Sequence, residues 1–91
     1  MDAIGSLMRE NNMKLFLSVG ETRTLKSAAK SSGVAYSHAR RLVKCWEREG
    51  FVTRQMLSVH KDQILLTEKG LLLFVVAEDF LKAVKEVRGW K

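Results

Sequence analysis

The residues of this sequence that are best suited to chemistry are cationic and lie in one stretch, GVAYSHARRLVKCWEREGFV, residues 33 to 52. If the stretch is helical, with about 100° of rotation per residue, its polar side chains fall on one arc about 100° wide. The members of this arc are Ser37, Arg40, Arg41, Lys44 and Arg48. No carboxylate lies inside the arc, whereas solvated helix faces usually mix both signs. A solvent-exposed helix face with no binding role is the alternative, but the pattern favours contact with a polyanion.

Other reactive side chains do not form the pattern of a catalytic or metal site. Ser37 and His38 are adjacent, so on a helix they point about 100° apart and cannot act together as nucleophile and base. His38, Cys45 and His60 could share a metal ion, but zinc normally takes four ligands, often from close pairs. The sequence therefore predicts no enzyme, no metal and no cofactor. Cys45 is expected to pack at the edge of the core, with a redox role as the alternative.

Composition restricts the class of protein. The 91 residues are expected to form a single domain, residues 1–91, and 46% hydrophobic residues suffice for a core. The net charge is +6, and residues 23–66 hold nine basic and only three acidic side chains. A single cysteine and the lack of a signal segment predict a cytoplasmic protein. The longest apolar run, Leu71 to Ala77, is far shorter than the roughly 20 residues of a membrane helix, so no membrane partner is expected.

The hydrophobic periodicity predicts four helices and one hairpin that would position the cationic arc. The predicted elements are a first helix over residues 2–20, a second over 25–32, a third over 36–49, a hairpin over 51–66 and a last helix over 67–88. Thr24 and Thr67 can cap the second and last helices, and Gly20, Gly33 and Gly50 can end the first three. On the third helix, the arc opposite the cations is apolar and is expected to face the core. Its members are Ala39, Leu42, Val43 and Trp46.

The junction of the second and third helices has the spacing of a helix-turn-helix. This motif needs a small residue where the helices meet, a glycine in the turn and apolar residues that pin the second helix. Ala29 is followed four residues later by Gly33. The pinning positions hold Val34, Ala39 and Leu42. Ser32 and Ala35 depart from the pattern, which usually has an apolar residue and a helix cap at these places.

The segment LKSAAKSSGVAYSHARRLVKCWEREGFVTR, residues 25–54, resembles the helix-turn-helix of winged-helix regulators and is similar to their MarR-like group. In that group the recognition helix ends in a Leu-Val, Glu, Gly, apolar-Val, Arg pattern. The matching residues are Leu42, Val43, Glu47, Gly50, Phe51, Val52 and Arg54. LLTEKG, residues 65–70, matches the end of the wing and the start of the next helix. The resemblance implies a mainly α fold with a small β-hairpin, a winged helix-turn-helix with a long C-terminal helix.

The resemblance also implies a function, which is sequence-specific binding of double-stranded DNA by a transcription regulator. The third helix would lie in the major groove and a short wing on the DNA backbone. The implied contacts are Tyr36, Ser37, Arg40, Arg41, Lys44 and Arg48 on the recognition helix, Arg54, His60 and Lys61 on the wing, and Thr24 and Lys26 at the start of the second helix. Arginine and lysine can read guanine or bind phosphate, and the sequence leaves this choice open.

Two other functions can be weighed against DNA binding. Some winged-helix proteins bind proteins instead, so the basic face could contact an acidic protein or a nucleoprotein partner. A membrane-surface role requires an amphipathic helix whose basic and apolar sides are both exposed. The third helix needs its apolar side for the core, which disfavours that role.

The last helix bears on oligomeric state, because Leu71 to Ala77 is apolar all round and one core cannot bury every side of a helix. A seam of heptad spacing on this helix predicts a homodimer, and the alternative is a helix that packs on the first helix only. The seam consists of Leu73, Ala77, Phe80, Val84 and Val87. The second apolar face, expected to pack on the body of the chain, consists of Leu72, Val75, Val76 and Ala83. Because the fold leaves little space for a pocket, no small-molecule effector is expected.

Overall fold

A computed structural model describes residues 9–58 and 61–90 of the chain. Its elements are α1 (Glu10–Thr22), α2 (Leu25–Ser32), α3 (Tyr36–Arg48), β1 (Val52–Ser58), β2 (Lys61–Leu66) and α4 (Glu68–Gly89). The hairpin and the long last helix that the sequence predicted are both present. None of the helices in the described part of the chain has the length and apolar character that crossing a bilayer requires.

The core lies between α1, α2 and α3 and is closed by the hairpin and α4. Its largest fully buried side chains are Trp46, Phe16, Leu15, Val19, Val43 and Val52. The rings of Phe16 and Trp46 meet edge to face, with centroids 5.0 Å apart and planes at 88°, a favoured aromatic geometry. Ala39, Leu42, Val43 and Trp46 are all buried. The predicted apolar arc of α3 is therefore confirmed.

The two helices of the helix-turn-helix begin and end through local chemistry. The Thr24 hydroxyl accepts a hydrogen bond from the Ser27 N–H at 3.3 Å and caps α2. Gly33 ends α2 at φ 74°, a left-handed conformation that glycine adopts at low cost. The predicted range of α2 is confirmed. Ala35 precedes α3 with no side-chain cap. α3 ends at Arg48, one residue before the predicted Glu49.

The first helix differs from the prediction at both ends. Arg9 is extended, at φ −83° and ψ 135°, so α1 begins at Glu10. A continuous helix over residues 2–20 is therefore wrong, and residues 1–8 lie outside the described part. α1 also passes through Gly20 and ends before Arg23, which is left-handed at φ 63°. Gly20 permits close packing instead, since an added Cβ would lie 2.6 Å from Cε2 of Phe74 on α4.

The strands of the hairpin pair antiparallel, with Val52 opposite Leu66 and Gln55 opposite Gln63. The register becomes irregular between Met56 and Ser58. At the base of the hairpin the Ile64 N–H donates to the Arg23 carbonyl at 2.8 Å. This bond ties β2 to the loop between α1 and α2, so the hairpin is fixed against the helical body.

The outward face of α4 is not the predicted one. Ala77 is only 2% exposed, and Leu73 and Val84 are partly buried. Leu72 and Val76, which were expected to pack on the body, are 69% and 62% exposed. The predicted division of faces is therefore wrong, although Phe80 and Val87 of the seam do remain exposed.

Two glycine contacts explain which side of α4 faces the body. The lack of a side chain at Gly20 leaves room for the Phe74 ring of α4. Gly70 lies so close to the Phe51 carbonyl that a Cβ at Gly70 would overlap it. These approaches fix the rotation of α4 about its axis and turn Ala77 inward. The spacing of apolar residues in α4 could not predict these contacts, because the partners Gly20 and Phe51 lie outside α4.

Candidate nucleic-acid interface

The outer face of α3 is a cationic surface held by a buried apolar side. All five side chains of the predicted arc are exposed: Ser37, Arg40, Arg41, Lys44 and Arg48. Val43 and Trp46 on the opposite side are fully buried. Because the apolar side is anchored in the core, the helix cannot rotate the cations away from solvent. We call this set of five residues the α3 arc.

The α3 arc carries uncompensated positive charge. Within residues 9–58 and 61–90, none of its arginines or its lysine forms an ion pair. Glu47, at the edge of the arc, lies with its Oε2 3.9 Å from Nε of Arg54 on β1. Arg54 therefore partly neutralises the nearest carboxylate and joins the hairpin to α3. A surface of this kind raises the local concentration of anions.

The start of α3 adds backbone donors to this cationic surface. The first hydrogen bond within α3 runs from the Ala39 N–H to the Ala35 carbonyl at 2.9 Å. The N–H groups of Tyr36, Ser37 and His38 precede this bond, and no described residue accepts from them. The helix dipole places partial positive charge at the same end. Tyr36 is 53% exposed beside these amides.

One of the two contacts predicted at the start of α2, Lys26, borders a groove next to the α3 start. Lys26, Lys30 and Tyr36 line a groove of about 520 Å³ whose floor is formed by Ala29 and Val34. Lys26 was predicted as a contact from the sequence, and Lys30 was not. Lys30 follows Lys26 by one helical turn, and this i, i+4 spacing was the signal available in the sequence.

The hairpin residues that were predicted to touch DNA are only partly described. Arg54 lies on β1 and meets Glu47, as noted above. Lys61 is the first residue of β2, and His60 lies outside the described residues. Contact between the wing and DNA therefore stays a prediction.

The alternative metal site would use His38, Cys45 and His60, of which the structure describes the first two. Cys45 is buried, and His38 is partly buried. Over the described ranges, no three His, Cys, Asp or Glu side chains are grouped closely enough to hold a metal ion.

Similarity to known proteins is visible in structure but not in sequence. No protein-family model matches the sequence, and no curated protein is significantly similar to it. The crystal structure of BenM_DBD with benA site 1 DNA is 19% identical, with 88% of each chain covered and a TM-score of 0.70. The transcriptional regulator PA3341 is 25% identical, with 91% of this chain and 63% of that chain covered and a TM-score of 0.71.

A third similar structure is a MarR family transcriptional regulator from Silicibacter pomeroyi DSS. It is 19% identical to this chain and has a TM-score of 0.72, with 98% of this chain covered. The present chain spans 63% of the length of that regulator and also of PA3341. The similarity therefore extends through the helix-turn-helix, the hairpin and α4. The chain has the winged helix-turn-helix fold in the form seen in MarR-like transcriptional regulators.

Proposed function

We propose that this chain binds double-stranded DNA sequence-specifically and regulates transcription, with α3 in the major groove. The observation that carries the proposal is the α3 arc, whose four cations have no ion-pair partner among the described residues. The major groove of B-DNA is about 12 Å wide and admits an α-helix. A helix anchored along one side by core residues can therefore insert its opposite, cationic side.

The two parts of the surface suit different parts of DNA. Arginine and lysine side chains in the middle of α3, such as Arg40 and Lys44, reach base edges when the helix lies in the groove. The open amides at the start of α3 and the lysines Lys26 and Lys30 suit phosphates, which they would bind through hydrogen bonds and charge. Phosphate contacts would set the position of the protein, and base contacts would supply sequence preference.

The similar structures support this proposal, since the BenM_DBD structure contains DNA and the other two are transcriptional regulators. An acidic protein partner would also be attracted by the α3 arc. The open amides and the adjoining lysine groove add phosphate-binding chemistry, and this favours DNA.

We also propose that the chain forms a homodimer through the exposed apolar face of α4. This face, called here the α4 face, consists of Leu72, Val76, Phe80, Ala83 and Val87, at spacings of four, four, three and four. It runs along most of a 22-residue helix, which is about 33 Å long. A symmetric contact between two such faces would present two copies of α3 to DNA. Dimeric helix-turn-helix proteins bind two half-sites about one helical turn of DNA apart.

Selection of bound sequences from a random duplex pool tests the DNA proposal. We expect enrichment of one motif, with two-fold symmetry if the dimer binds. The affinity for the enriched duplex should fall with salt, with a log–log slope of about −0.9 for each phosphate contacted. No enrichment, together with a dissociation constant weaker than about millimolar at low salt, would instead favour a protein partner.

A further inference from the structure

The first turn of α4 binds the chain segment that follows α3. The Thr67 hydroxyl donates a hydrogen bond to the Gly50 carbonyl at 2.5 Å. The Thr67 N–H donates to the Phe51 carbonyl at 3.1 Å, and Nζ of Lys69 donates to the Glu49 carbonyl at 3.0 Å. The same Nζ lies 4.5 Å from the centroid of the Phe51 ring. Three consecutive carbonyls after α3 are therefore held by two residues, Lys69 of α4 and Thr67, the residue that caps α4.

Gly70 makes this junction closer than any other residue type would permit. A Cβ at position 70 would overlap the carbonyl oxygen of Phe51, which is a backbone atom and cannot rotate away. The Gly70 N–H also donates to the Thr67 hydroxyl at 3.0 Å, so Thr67 is fixed on both sides. On the other side, the Phe51 N–H donates to the Trp46 carbonyl inside the last turn of α3.

The contacts form one continuous path from α4 to α3. The last carbonyls of a helix lack intrahelical partners and commonly bind side chains or water. Here the chain leaving α3 is bound to α4 by side-chain, backbone and cation–π contacts. The direction of the α3 axis is consequently fixed relative to α4 at its C-terminal end, while Ala35 leaves the N-terminal end uncapped.

We infer that Thr67, Lys69 and Gly70 are positioning residues that set the angle at which α3 enters the DNA groove. The inference rests on the proposed DNA-binding function. Base-edge hydrogen bonds require short distances and good alignment, whereas phosphate attraction acts over a wider range. A small rotation of α3 therefore reduces discrimination between DNA sequences more than it reduces non-specific affinity.

The test compares two matched substitutions, Gly70→Ala in α4 and Gly20→Ala in α1. Both add one methyl group at a closely packed helical glycine, but Gly20 meets side-chain atoms of Phe74, which can shift, whereas Gly70 meets the backbone carbonyl of Phe51 in the segment that leaves α3. Each variant is titrated with the best duplex from the random pool and with a shuffled duplex of the same composition. We expect Gly70→Ala to lose about tenfold in the ratio of the two affinities, and Gly20→Ala to lose less than about twofold.

A second variant and the salt dependence separate positioning from loss of structure. Thr67→Val keeps the side-chain shape and removes the hydrogen bonds to Gly50 and Gly70, so it should lose discrimination even if Gly70→Ala does not fold. In both variants the salt slope with the shuffled duplex should stay as in the wild type, because phosphate contacts are kept. Folding is checked by circular dichroism.

The outcomes distinguish the two proposals. If the wild type does not discriminate between the duplexes, the DNA-binding proposal fails and the inference fails with it. If the wild type discriminates and folded Thr67→Val and Gly70→Ala discriminate as well as Gly20→Ala, only the inference is overturned.

Discussion

The outer surfaces of α3 and α4 are both exposed, but they differ in the free energy of leaving them in water. The α3 arc is hydrated and charged, so its exposure in the free protein is favourable. The α4 face is apolar, with Leu72, Val76 and Val87 each more than 60% exposed, and exposed apolar surface costs roughly 25 cal/mol per Å². The α3 arc therefore suits a partner that is bound by charge, and the α4 face suits one that is bound by removal of water.

This difference predicts that the two contacts respond differently to salt. The proposed contact between the α3 arc and DNA would release counterions and should weaken as salt rises. Contact between two α4 faces involves little charge and should persist at high salt. Substitutions can change one of the two surfaces, or the helix ends that hold them, and leave the other unaltered.

The largest effect is expected from removing two cations of the α3 arc. Arg40→Ala combined with Arg41→Ala should weaken binding to the selected duplex about a hundredfold, since each lost contact costs roughly 1–3 kcal/mol. Fluorescence anisotropy of labelled DNA measures the change. Lys82→Ala combined with Lys85→Ala removes the same charge from α4 and is the control. Equal losses in the two double variants would show that net charge, and not the α3 arc, drives binding.

A somewhat smaller effect is expected from placing charge on the α4 face. Leu72→Lys combined with Val76→Lys should raise the dimer dissociation constant about thirtyfold or more, because both lysines would have to be desolvated. Sedimentation equilibrium in high salt measures the dimer. Glu78→Lys, on an exposed position outside this face, is the control. A stable 10.4 kDa monomer of the wild type at micromolar concentration would rule out the α4 face as a dimer contact.

Substitutions at Ala35, before the uncapped start of α3, are expected to have a smaller effect. They separate the free energy of unfolding from DNA affinity. Ala35 has φ −57° and ψ 137° and supplies no acceptor to the first amides of α3. Ala35→Ser should raise the free energy of unfolding by about 1 kcal/mol, because serine can cap the helix. Ala35→Asp should also cap it but should weaken DNA binding, since its charge occupies the place proposed for a phosphate. Thermal melts and anisotropy measure the two quantities, and unchanged DNA affinity in Ala35→Asp would remove these amides from the proposed interface.

The contrast between α3 and α4 also shows what the sequence can predict. On α3 the cations and the apolar residues occupy opposite arcs, so the buried side follows from periodicity alone, and Ala39, Leu42 and Trp46 are buried as predicted. On α4 the run Leu71 to Ala77 is apolar all round. Nothing local distinguishes Ala77, which is buried, from Val76, which is exposed.

Contacts between distant parts of the chain explain most of what the sequence did not predict. Gly20 was predicted to end α1, but it admits Phe74 of α4, and Arg23 ends the helix instead. The hydrogen bond from Lys69 to the Glu49 carbonyl likewise joins residues from separate elements. Local signals such as the Thr24 cap and Gly33 were sufficient for α2, whose ends depend on neighbouring residues alone.

The smallest effect concerns the ion pair that joins the far end of α4 to α1. Arg88 donates two hydrogen bonds to the Glu10 carboxylate, at 3.0 and 2.8 Å, and Nζ of Lys14 lies 3.6 Å from it. The hydrogen bond from Arg88, followed by its charge and that of Lys14, holds the pKa of Glu10 below its ordinary value of 4.5. A lowered pKa in the folded state means that the pair stabilises the fold above the unfolded-state pKa. This stabilisation is lost as the pH falls through the lower, folded-state value.

Glu10→Gln removes this titration while keeping the side-chain length. The wild type should melt at a slightly higher temperature than Glu10→Gln near neutral pH, and the difference should shrink and then vanish as the pH falls below the ordinary carboxyl pKa of 4.5. The effect is small because the Arg88 side chain is exposed and that of Glu10 is partly exposed to solvent. Thermal melts of the two proteins over this pH range measure it, and Glu21→Gln, an exposed carboxylate on the same helix, is the control. If the difference in melting temperature stays constant as the pH falls well below 4.5, the pair does not hold α4 against α1, and the close approach of Phe74 to Gly20 must do so.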